Sequence, residues 1–329
     1  MSIRIAYIGA GSFTNQCMFP QLFIHDLELA AICDLDEGKA LLAQKRYGFK
    51  KVYTDFRKML EIEKPQAVFC VGGPKVHYSV GMEVLDRGFP LYVQKSPAPS
   101  SIATKEMAEL AVKKSVVCHV GFNLRHSTAA YQAKAILQTS EFGNPLMGIF
   151  RYGLTSGVTM TDVVMDQHCH LFDLTRFLMG DIKTAKAIKS GTQNARDYVV
   201  AVEFQSGAVG TLNFTSGQII DKEFIYFEIT GNGTFLYSHG CANLRWCRAT
   251  RGPWWKEPQA DYVFERGMYG AQIMLETLGY VGDVANFISA VKGEVEDVSP
   301  ISSAVSTMEL CEEILRQIEG MVRNQDNNI

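Results

Sequence analysis

A short polar segment in the middle of the chain, Asp166-Gln167-His168-Cys169-His170, carries residue types suited to proton transfer. Asp166 and His170 are four residues apart, so a helix would bring both side chains to one face. An aspartate beside a histidine fixes the tautomer of the imidazole and stabilises its protonated form. A general base needs this arrangement when it takes a proton from an alcohol as a hydride leaves the carbon. The pair therefore predicts acid–base chemistry.

Two other interpretations of this segment stay open. Asp166 could cap a helix whose histidines are solvated. His168 and His170 also cluster with Asp166 and Asp173, as metal ligands do. Metal sites need ligands that converge in three dimensions, and His-x-His pairs are common by chance. Acid–base chemistry without a bound metal is therefore our main hypothesis.

A second candidate for chemistry is Lys95, which follows the apolar segment Leu91–Gln94. This segment is predicted to be a parallel strand, and open α/β sheets bind ligands at the carboxyl ends of such strands. A lysine there can hydrogen-bond a substrate hydroxyl or stabilise a developing oxyanion. Lysine is also a frequent surface residue, so its position alone leaves a surface role open.

The N-terminal segment Ile3–Ile8 leads into Gly9-Ala10-Gly11-Ser12-Phe13-Thr14. Glycines at the first two positions of this fingerprint allow a tight turn and a close approach of the backbone to a pyrophosphate. The helix that follows offers free N–H groups and the positive end of its dipole to that anion. Thr14 replaces the third glycine, so we expect slightly wider spacing between helix and strand. The segment predicts a dinucleotide site.

Asp34 ends the second predicted strand, near the offset of about 20 residues at which a ribose-binding acid follows the glycine turn. A carboxylate there accepts hydrogen bonds from the adenosine ribose hydroxyls and repels a 2′-phosphate. The alternative is a solvated turn that Asp34 shares with Asp36. The order of strand, glycine turn, helix, strand and acid favours the first interpretation, with NAD preferred over NADP.

The elements that must position these residues alternate in the first 120 residues or so. Apolar runs without polar alternation suit a parallel sheet covered on both faces, and the amphipathic stretches between them suit helices. The predicted strands are Ile3–Ile8, Glu28–Cys33, Ala67–Val71, Leu91–Gln94 and Val116–Val120, and the helices are Glu37–Tyr47, His77–Arg87 and Ile102–Lys114. This alternation predicts a doubly wound Rossmann domain over residues 1–121.

After residue 121 the pattern changes, and residues 122–329 are predicted to form a second, α+β domain for substrate binding and oligomerisation, whose last helix could pack back on the first domain. Strands joined by short turns, including Gly231-Asn232-Gly233, indicate a large, mainly antiparallel sheet. The predicted helices are Ala129–Gln138, Cys169–Met179, Val281–Val291 and Ser303–Met321, and the strands are Tyr198–Phe204, Val209–Phe214, Phe224–Thr230 and Thr234–Tyr237.

Composition narrows the classes of partner. The net charge of -3 gives no basic excess for nucleic acid, and no apolar run is long enough to span a membrane. The N-terminus lacks the features of a secretory signal. The eight cysteines are scattered without a C-x-x-C pair, so we expect reduced thiols and a cytoplasmic location.

Taken together, these residues resemble the Gfo/Idh/MocA family, which includes glucose–fructose oxidoreductases and inositol dehydrogenases. The resemblance covers nearly the whole chain, in order and at compatible spacing. It rests on the glycine turn, Asp34, Tyr53-Thr54-Asp55, Gly72-Gly73-Pro74 with His77, Lys95, Gly121-Phe122-Asn123-Leu124-Arg125, Asp166-x-x-x-His170-x-x-Asp173 and Gly279-Tyr280 with Asn286-Phe287.

The resemblance implies a Rossmann domain that carries NAD or NADP and a second domain with an open sheet that is commonly buried in dimers or tetramers. It places Lys95 near the nicotinamide and matches Asp166 and His170 to a catalytic acid and histidine. Further cofactor contacts are then expected at Gly72, Gly73, Pro74, His77 and Gln94. Substrate contacts are expected at Asn123, Arg125, Tyr152, His168 and Asp173.

The chain departs from the family at three motifs. The usual Thr-Pro-Asn loop is Gly72-Gly73-Pro74 here. The family's Glu-Lys-Pro is Gln94-Lys95-Ser96 here, which removes a charge beside the lysine and a proline from the peptide that follows it. The glycine of Asp-x-Gly-x-His is His168, a bulky ring where the family has open space. These departures bear on the substrate more than on the cofactor.

The expected reaction is hydride transfer between NAD and a secondary alcohol of a sugar, cyclitol or related polyol. His170 would accept the hydroxyl proton, Asp166 would orient His170, and Lys95 would polarise the oxygen. Two alternatives stay open: an NAD-dependent glycoside hydrolase of the same fold, and a catalytically weakened sensor that retains NAD. The expected partners are a small-molecule substrate and further copies of the chain in a homodimer or homotetramer.

Overall fold

A computed structural model describes residues 2–153, 159–191, 196–216, 225–248, 260–265 and 271–326. The chain divides into two compact units, and each combines two stretches of sequence. The first unit comprises Met1–Asn123 and Tyr280–Met308, and the second comprises Leu124–Gly279 and Glu309–Ile329.

The helices and strands are numbered separately in chain order. The strands are β1 (Ile3–Ile8), β2 (Leu27–Cys33), β3 (Lys51–Tyr53), β4 (Ala67–Cys70), β5 (Leu91–Gln94), β6 (Cys118–Gly121), β7 (Met147–Tyr152), β8 (Ile182–Lys189), β9 (Tyr198–Phe204), β10 (Val209–Phe214), β11 (Ile225–Gly231), β12 (Thr234–His239), β13 (Asn243–Arg248) and β14 (Ala260–Glu265). The α-helices are α1 (Phe19–Leu22), α2 (Glu37–Tyr47), α3 (Phe56–Glu63), α4 (Pro74–Asp86), α5 (Ser101–Lys114), α6 (Thr128–Leu137), α7 (Met160–Asp162), α8 (Cys169–Met179), α9 (Ala271–Thr277), α10 (Tyr280–Val291) and α11 (Ile301–Asp326).

The first unit contains a parallel sheet in the order β3-β2-β1-β4-β5-β6. Strands β1, β4 and β5 are almost wholly buried, as expected for a sheet covered on both faces. The order reverses direction between β1 and β4, which is where doubly wound sheets bind their ligands. The predicted Rossmann fold is confirmed, and β3 is an added edge strand that the sequence pattern did not reveal.

Helix α10 belongs to the core of the first unit. Its buried side chains Val284, Phe287 and Ile288 pack in the cluster that includes Tyr7 and Phe69 of the sheet. The Phe287 ring lies edge-on to the Phe69 ring, with 5.2 Å between the ring centroids. This helix was predicted to belong to the second domain. Its apolar face packs in the first unit, so the two compact units are not divided by a single boundary at residue 121.

A buried charged group joins α10 to the sheet. His119 on β6 has one ring nitrogen 3.0 Å from Asp283 of α10 and the other 2.7 Å from Asp297. Burial lowers the pKa of His119, but the charges and hydrogen bonds of Asp297 and Asp283 outweigh burial and raise this pKa to about 9. Because both nitrogens face carboxylates, both must donate, and the imidazole is positively charged at neutral pH.

The second unit contains the sheet β14-β13-β12-β11-β7-β10-β9-β8. Its strand pairs are antiparallel except for β7 and β10, which run parallel. Buried and more exposed side chains alternate along β9, β10 and β11, so one face is the packed face. The predicted mainly antiparallel sheet is confirmed, although β7, β8, β13 and β14 were not predicted. Phe224, where one predicted strand begins, lies outside the described residues.

Helix α8 lies inside the second unit. Most of its residues are buried, from Cys169 to Met179, so little of the helix faces solvent. The predicted bounds of α8 are confirmed. In the described part of the chain, no helix combines the length and the hydrophobicity needed to cross a membrane.

The His119 ion cluster predicts how stability depends on pH. The folded protein binds this proton with a pKa of about 9, against an ordinary value of 6.5. The stabilising contribution is therefore complete below about pH 6.5 and is lost as the pH rises through 9, by up to about 3 kcal/mol. Urea unfolding at several pH values will measure this loss. His119→Gln should be less stable than the wild type at neutral pH and should lack this part of the pH dependence. If the unfolding free energies of the two proteins depend on pH in the same way, the assignment of this pH dependence to His119 is wrong.

Candidate active site

The glycine turn after β1 has the shape required for a close approach of backbone to a ligand. Gly9 has a φ of 100°, and a Cβ atom there would overlap the carbonyl oxygen of Val71. At Gly11 the situation is the opposite, because no described protein atom beyond the glycine and its two chain neighbours lies within 4 Å of the position a Cβ would take. Gly9 is therefore required by the protein itself, while Gly11 leaves an open, exposed cradle beside the turn.

The helix that follows this turn begins with a π-helical segment, Thr14–Met18, and continues as α1. Such wide turns are rare in proteins, and many of those that occur lie at functional sites. Ser12 is exposed at the turn, Phe13 packs against Tyr280 at 6.0 Å between ring centroids, and Thr14 is buried. Of these predicted cofactor contacts, only Ser12 presents an exposed side chain, so Thr14 contributes through the packing of the helix.

Asp34 ties the ends of the first two strands together. One carboxylate oxygen accepts a hydrogen bond from the Ala10 N–H at 2.7 Å, and the other accepts from the Asp36 N–H at 2.9 Å. The Gly9 N–H donates to the Cys33 carbonyl oxygen at 2.8 Å. A carboxylate oxygen can accept more than one hydrogen bond, so this half-buried carboxylate can also accept from a ribose hydroxyl.

His77 connects the loops that follow β4 and β5. Its Nε2 accepts a hydrogen bond from the Gly72 N–H at 2.9 Å, so Nδ1 carries the proton and donates to the Ser96 carbonyl oxygen at 2.8 Å. The ring is completely buried. The imidazole therefore supports the backbone around Gly72 and Gly73, which are exposed. A direct cofactor contact at His77 stays a prediction.

Lys95 and Gln94 differ in their surroundings. Lys95 is half-buried at the carboxyl end of β5, and the Lys95–Ser96 peptide bond is cis. The Gln94 side chain is buried, and its amide nitrogen donates to the Tyr92 hydroxyl at 2.9 Å. The hydrogen bond between Gln94 and Tyr92 lies in the interior of the first unit. The cofactor contact expected at Gln94 stays a prediction.

Asp166 lies in a second π-helical segment, Val163–His168, which runs directly into α8. Asp166 is half-buried, and its carboxylate accepts a hydrogen bond from the Gln167 side chain at 3.1 Å. His170 lies in the first turn of α8 and is 9% exposed. The predicted helix is therefore present, with a wide turn between the two candidate residues. Asp166 and His170 belong to the second unit, and Lys95 belongs to the first.

His168 and Tyr152 are packed inside the second unit. The His168 ring is fully buried, lies 2.7 Å by its Nδ1 from the Tyr198 hydroxyl and stacks on Phe214 with centroids 4.4 Å apart. Tyr152 packs edge-on to the same ring at 5.8 Å and is 2% exposed. Both rings therefore pack between the sheet and α8, next to the helix that carries His170. The substrate contacts expected at the two residues stay predictions.

Arg125 and Asp173, two further predicted substrate contacts, bind each other. The Arg125 Nε donates to one carboxylate oxygen at 2.7 Å and its terminal nitrogen to the other at 2.6 Å. The side chains are 5% and 2% exposed. This two-bond geometry is the strong form of an ion pair. Both groups keep further hydrogen-bonding positions, so the substrate contacts at Arg125 and Asp173 stay predictions. Asn123 is also buried, at 3% exposure.

The metal hypothesis finds no support at the candidate histidines. Among the described residues, neither His168 nor His170 belongs to a group of three side chains whose ligand atoms lie close enough to hold one ion. The two histidines also differ in surroundings, since His168 is held by a tyrosine in the packed interior.

Two family models match the chain. Residues 3–122 match the oxidoreductase family with an NAD-binding Rossmann fold, and residues 156–322 match the C-terminal alpha/beta domain of the same family. The chain belongs to the Gfo/Idh/MocA oxidoreductase family. The resemblance seen in the motifs is thereby confirmed, together with the NAD-binding class of the first domain.

The chain is similar to curated proteins that are named dehydrogenases, and it shares its fold with a solved structure. It is 26% identical to inositol 2-dehydrogenase 4 of Saccharopolyspora erythraea over 64% of this chain and 66% of that protein. It is 24% identical to D-glucoside 3-dehydrogenase of Escherichia coli over 66% and 68%. These alignments span about two thirds of the relatives' length. A dehydrogenase from Chromobacterium violaceum shares the fold, with a TM-score of 0.87 at 20% identity over 100% and 99% of the two chains.

The buried ion pair predicts a structural rather than a substrate role for Asp173. Asp173→Asn removes a charge opposite a buried guanidinium and should cost about 3 to 5 kcal/mol of unfolding free energy. As a control, Glu203→Gln interrupts a pair with Lys183 in which the side chains are 39% and 53% exposed. It should cost less than about 1 kcal/mol in urea unfolding. A stable Asp173→Asn protein whose KM for substrate rises sharply would restore the substrate assignment.

Proposed function

We propose that this protein is an NAD-dependent dehydrogenase that moves a hydride between the nicotinamide and a secondary alcohol of a sugar, cyclitol or related polyol. The observation that carries the proposal is the glycine turn, where Asp34 holds the Ala10 N–H and Gly11 leaves an open cradle. The chain's membership of an NAD-binding oxidoreductase family supports it.

The residues present fit a dinucleotide. The cradle at Gly11 and the start of the following helix suit a pyrophosphate, since both offer backbone N–H groups without a side chain in the way. Asp34 would accept hydrogen bonds from the adenosine ribose, and the loop at Gly72 and Gly73 would border the cofactor farther along the sheet edge. The nicotinamide, when bound, supplies the hydride acceptor or donor.

The catalytic roles are assigned to Lys95, His170 and Asp166. In the oxidation direction, His170 accepts the proton of the substrate hydroxyl, and Asp166 sets its orientation. The Lys95 ammonium stabilises the negative charge that develops on the oxygen as the hydride leaves. The π-helical turn before α8 sets where this aspartate lies along the helix. In the reduction direction the same groups return the proton.

The substrate class follows from chemistry shared by the relatives. The names of two of them specify an inositol and a glucoside, both of which are rich in secondary alcohols. Their substrates differ, so the class, rather than a single compound, carries over to this chain.

We further propose that the open sheet of the second unit is covered by another copy of the chain, giving a homodimer or homotetramer. Its outer face carries apolar side chains on neighbouring strands: Met147, Ile188, Val199 and Val209 are 40%, 60%, 39% and 50% exposed. Such a face is typical of a protein interface. Light scattering at micromolar concentration should give the mass of a dimer or tetramer, and a stable monomer would exclude this assembly.

Cofactor preference is predicted from Asp34. NADH should bind at least about tenfold more tightly than NADPH in calorimetry, because the carboxylate repels a 2′-phosphate. Asp34→Asn should reduce this ratio. Asp36→Asn removes an exposed neighbouring carboxylate and should leave the ratio largely intact. Equal or tighter binding of NADPH to the wild type would contradict the prediction.

The catalytic assignment predicts a loss of turnover with cofactor binding preserved. Inositols, hexoses, glucosides and nucleotide sugars are first tested for NAD reduction. With an active substrate, His170→Ala should lower kcat by about 100-fold to 10,000-fold, the range for losing a positioned base. NADH affinity should change little, because its contacts lie in the other unit. Lys95→Ala should also lower kcat, whereas Lys105→Ala, at an exposed helical lysine, should not.

Three results would count against this proposal. If His170→Ala retains the wild-type rate at saturating substrate, the base is another group. Release of an aglycone without net NADH formation would identify the hydrolase alternative. NADH binding without turnover of any polyol would favour the sensor.

A further inference from the structure

A chain of buried polar groups begins at the backbone of Lys95 and runs into the first unit. The Lys95 N–H donates to Gln94 Oε1 at 3.2 Å, Gln94 Nε2 donates to the Tyr92 hydroxyl oxygen at 2.9 Å, and the Tyr92 hydroxyl lies 2.5 Å from Asp283 Oδ2. Gln94, Tyr92 and Asp283 are 3%, 0% and 0% exposed. Because these groups are buried, the loss of one hydrogen bond would leave a polar atom without a partner and lower the stability of the folded protein.

The far end of the chain is fixed by charge. Asp283 uses its other oxygen to accept from His119 Nε2 at 3.0 Å, and His119 Nδ1 donates to Asp297 at 2.7 Å. Asp297 in turn accepts from the Ser299 N–H at 2.9 Å. Because His119 donates from both nitrogens, Asp283 can act only as an acceptor, both toward His119 and toward Tyr92.

The direction of the remaining bonds follows. The Tyr92 hydroxyl has a single hydrogen, and Asp283 takes it. The residue at position 94 must therefore donate to the phenol oxygen while it accepts from the Lys95 N–H. A glutamine does both, whereas an ionised glutamate can only accept and would place its charge against the lone pairs of the phenol. Position 94 is one of the two places where this chain departs from Glu-Lys-Pro.

A glycine leaves the space for this arrangement. Gly121 on β6 lies opposite Gln94 in the sheet register. A Cβ there would come within 2.5 Å of the Tyr92 hydroxyl oxygen and 2.7 Å of Gln94 Nε2. The backbone of Gly121 does not have a positive φ. Its lack of a side chain therefore serves the contact between these two groups rather than a turn.

We propose that Tyr92, Asp283 and His119 are positioning residues for Lys95, and that the direction of their hydrogen bonds is what requires glutamine at position 94. The inference rests on the proposed function, because it takes Lys95 as the group that polarises the substrate oxygen. A purely structural network would stabilise the first unit without acting on Lys95.

The test reverses two hydrogen bonds. Gln94→Glu should lower kcat by about tenfold or more, since an unmatched buried bond disturbs the strand end, while KM for substrate changes less. When Gln94→Glu is combined with Asp283→Asn, the phenol donates to the new carboxylate at position 94, and the new amide at position 283 donates to the phenol. His119 still donates to the oxygen of that amide. The net charge equals that of the wild type, so kcat should return to within about threefold.

Two outcomes would overturn the proposal. The first is a Gln94→Glu protein with wild-type kcat. The second is a double variant no more active than the poorer single variant. If Gln94→Glu does not fold, recovery of a folded protein with near wild-type kcat in the double variant still supports the direction of the bonds, and its failure to fold opposes it.

Action through Lys95 is tested by a cycle with Lys95→Ala. In that background, Gln94→Glu should lower kcat no further, whereas a merely structural defect would lower it again. Acylation of Lys95 by an amine-reactive ester, followed by mass spectrometry, needs no substrate. Its rate should change in Gln94→Glu and return in the double variant. If no polyol is turned over but this pattern holds, the proposed function fails and the positioning network stands. If Lys95 is acylated at the same rate in Gln94→Glu as in the wild type, the network does not position Lys95.

Discussion

The carboxyl edge of the parallel sheet is the constraint on which the first unit depends. Strands β1, β2, β4 and β5 all end there, and their loops are joined by hydrogen bonds rather than by packing alone. The Ala10 N–H binds Asp34, and His77 links the Gly72 N–H to the Ser96 carbonyl. Gly9 has no room for a side chain against Val71, so this position requires glycine. The protein's own hydrogen bonds therefore hold the loops of this edge together.

Buried histidines illustrate how strongly surroundings decide the role of one residue type. His77 is neutral because a backbone N–H occupies Nε2, and His119 is charged because carboxylates face both nitrogens. His168 is held between a tyrosine hydroxyl and aromatic rings. A fourth histidine, His170, is the candidate base and lies in the first turn of α8. His168 packs next to this helix. A buried histidine and the histidine proposed as the base thus lie two residues apart in the sequence.

The fold and the glycine turn could be predicted from sequence, because strand alternation and the fingerprint are local patterns. Strands β7 and β8 were missed because a glycine interrupts the first and every third residue of the second, from Lys183 to Lys189, is a lysine. The partner of Arg125 lies 48 residues away, and no local pattern reveals such a pairing. The sequence therefore predicted substrate contacts at Arg125, Tyr152, His168 and Asp173 without revealing how these side chains pack. The sequence showed that position 94 departs from the family motif. The explanation we propose depends on Asp283, which lies 189 residues later in the chain and could not be paired with Gln94 from sequence.

The central claim is that NAD and a secondary alcohol exchange a hydride at this site. The most direct measurement uses NADH that carries deuterium at both C4 positions and follows the label by mass spectrometry into the alcohol formed from the ketone of each candidate polyol. We expect deuterium on one former carbonyl carbon, and less of it with the His170→Ala protein in the same time. Bound NADH that keeps its deuterium in the presence of every ketone tested would contradict it.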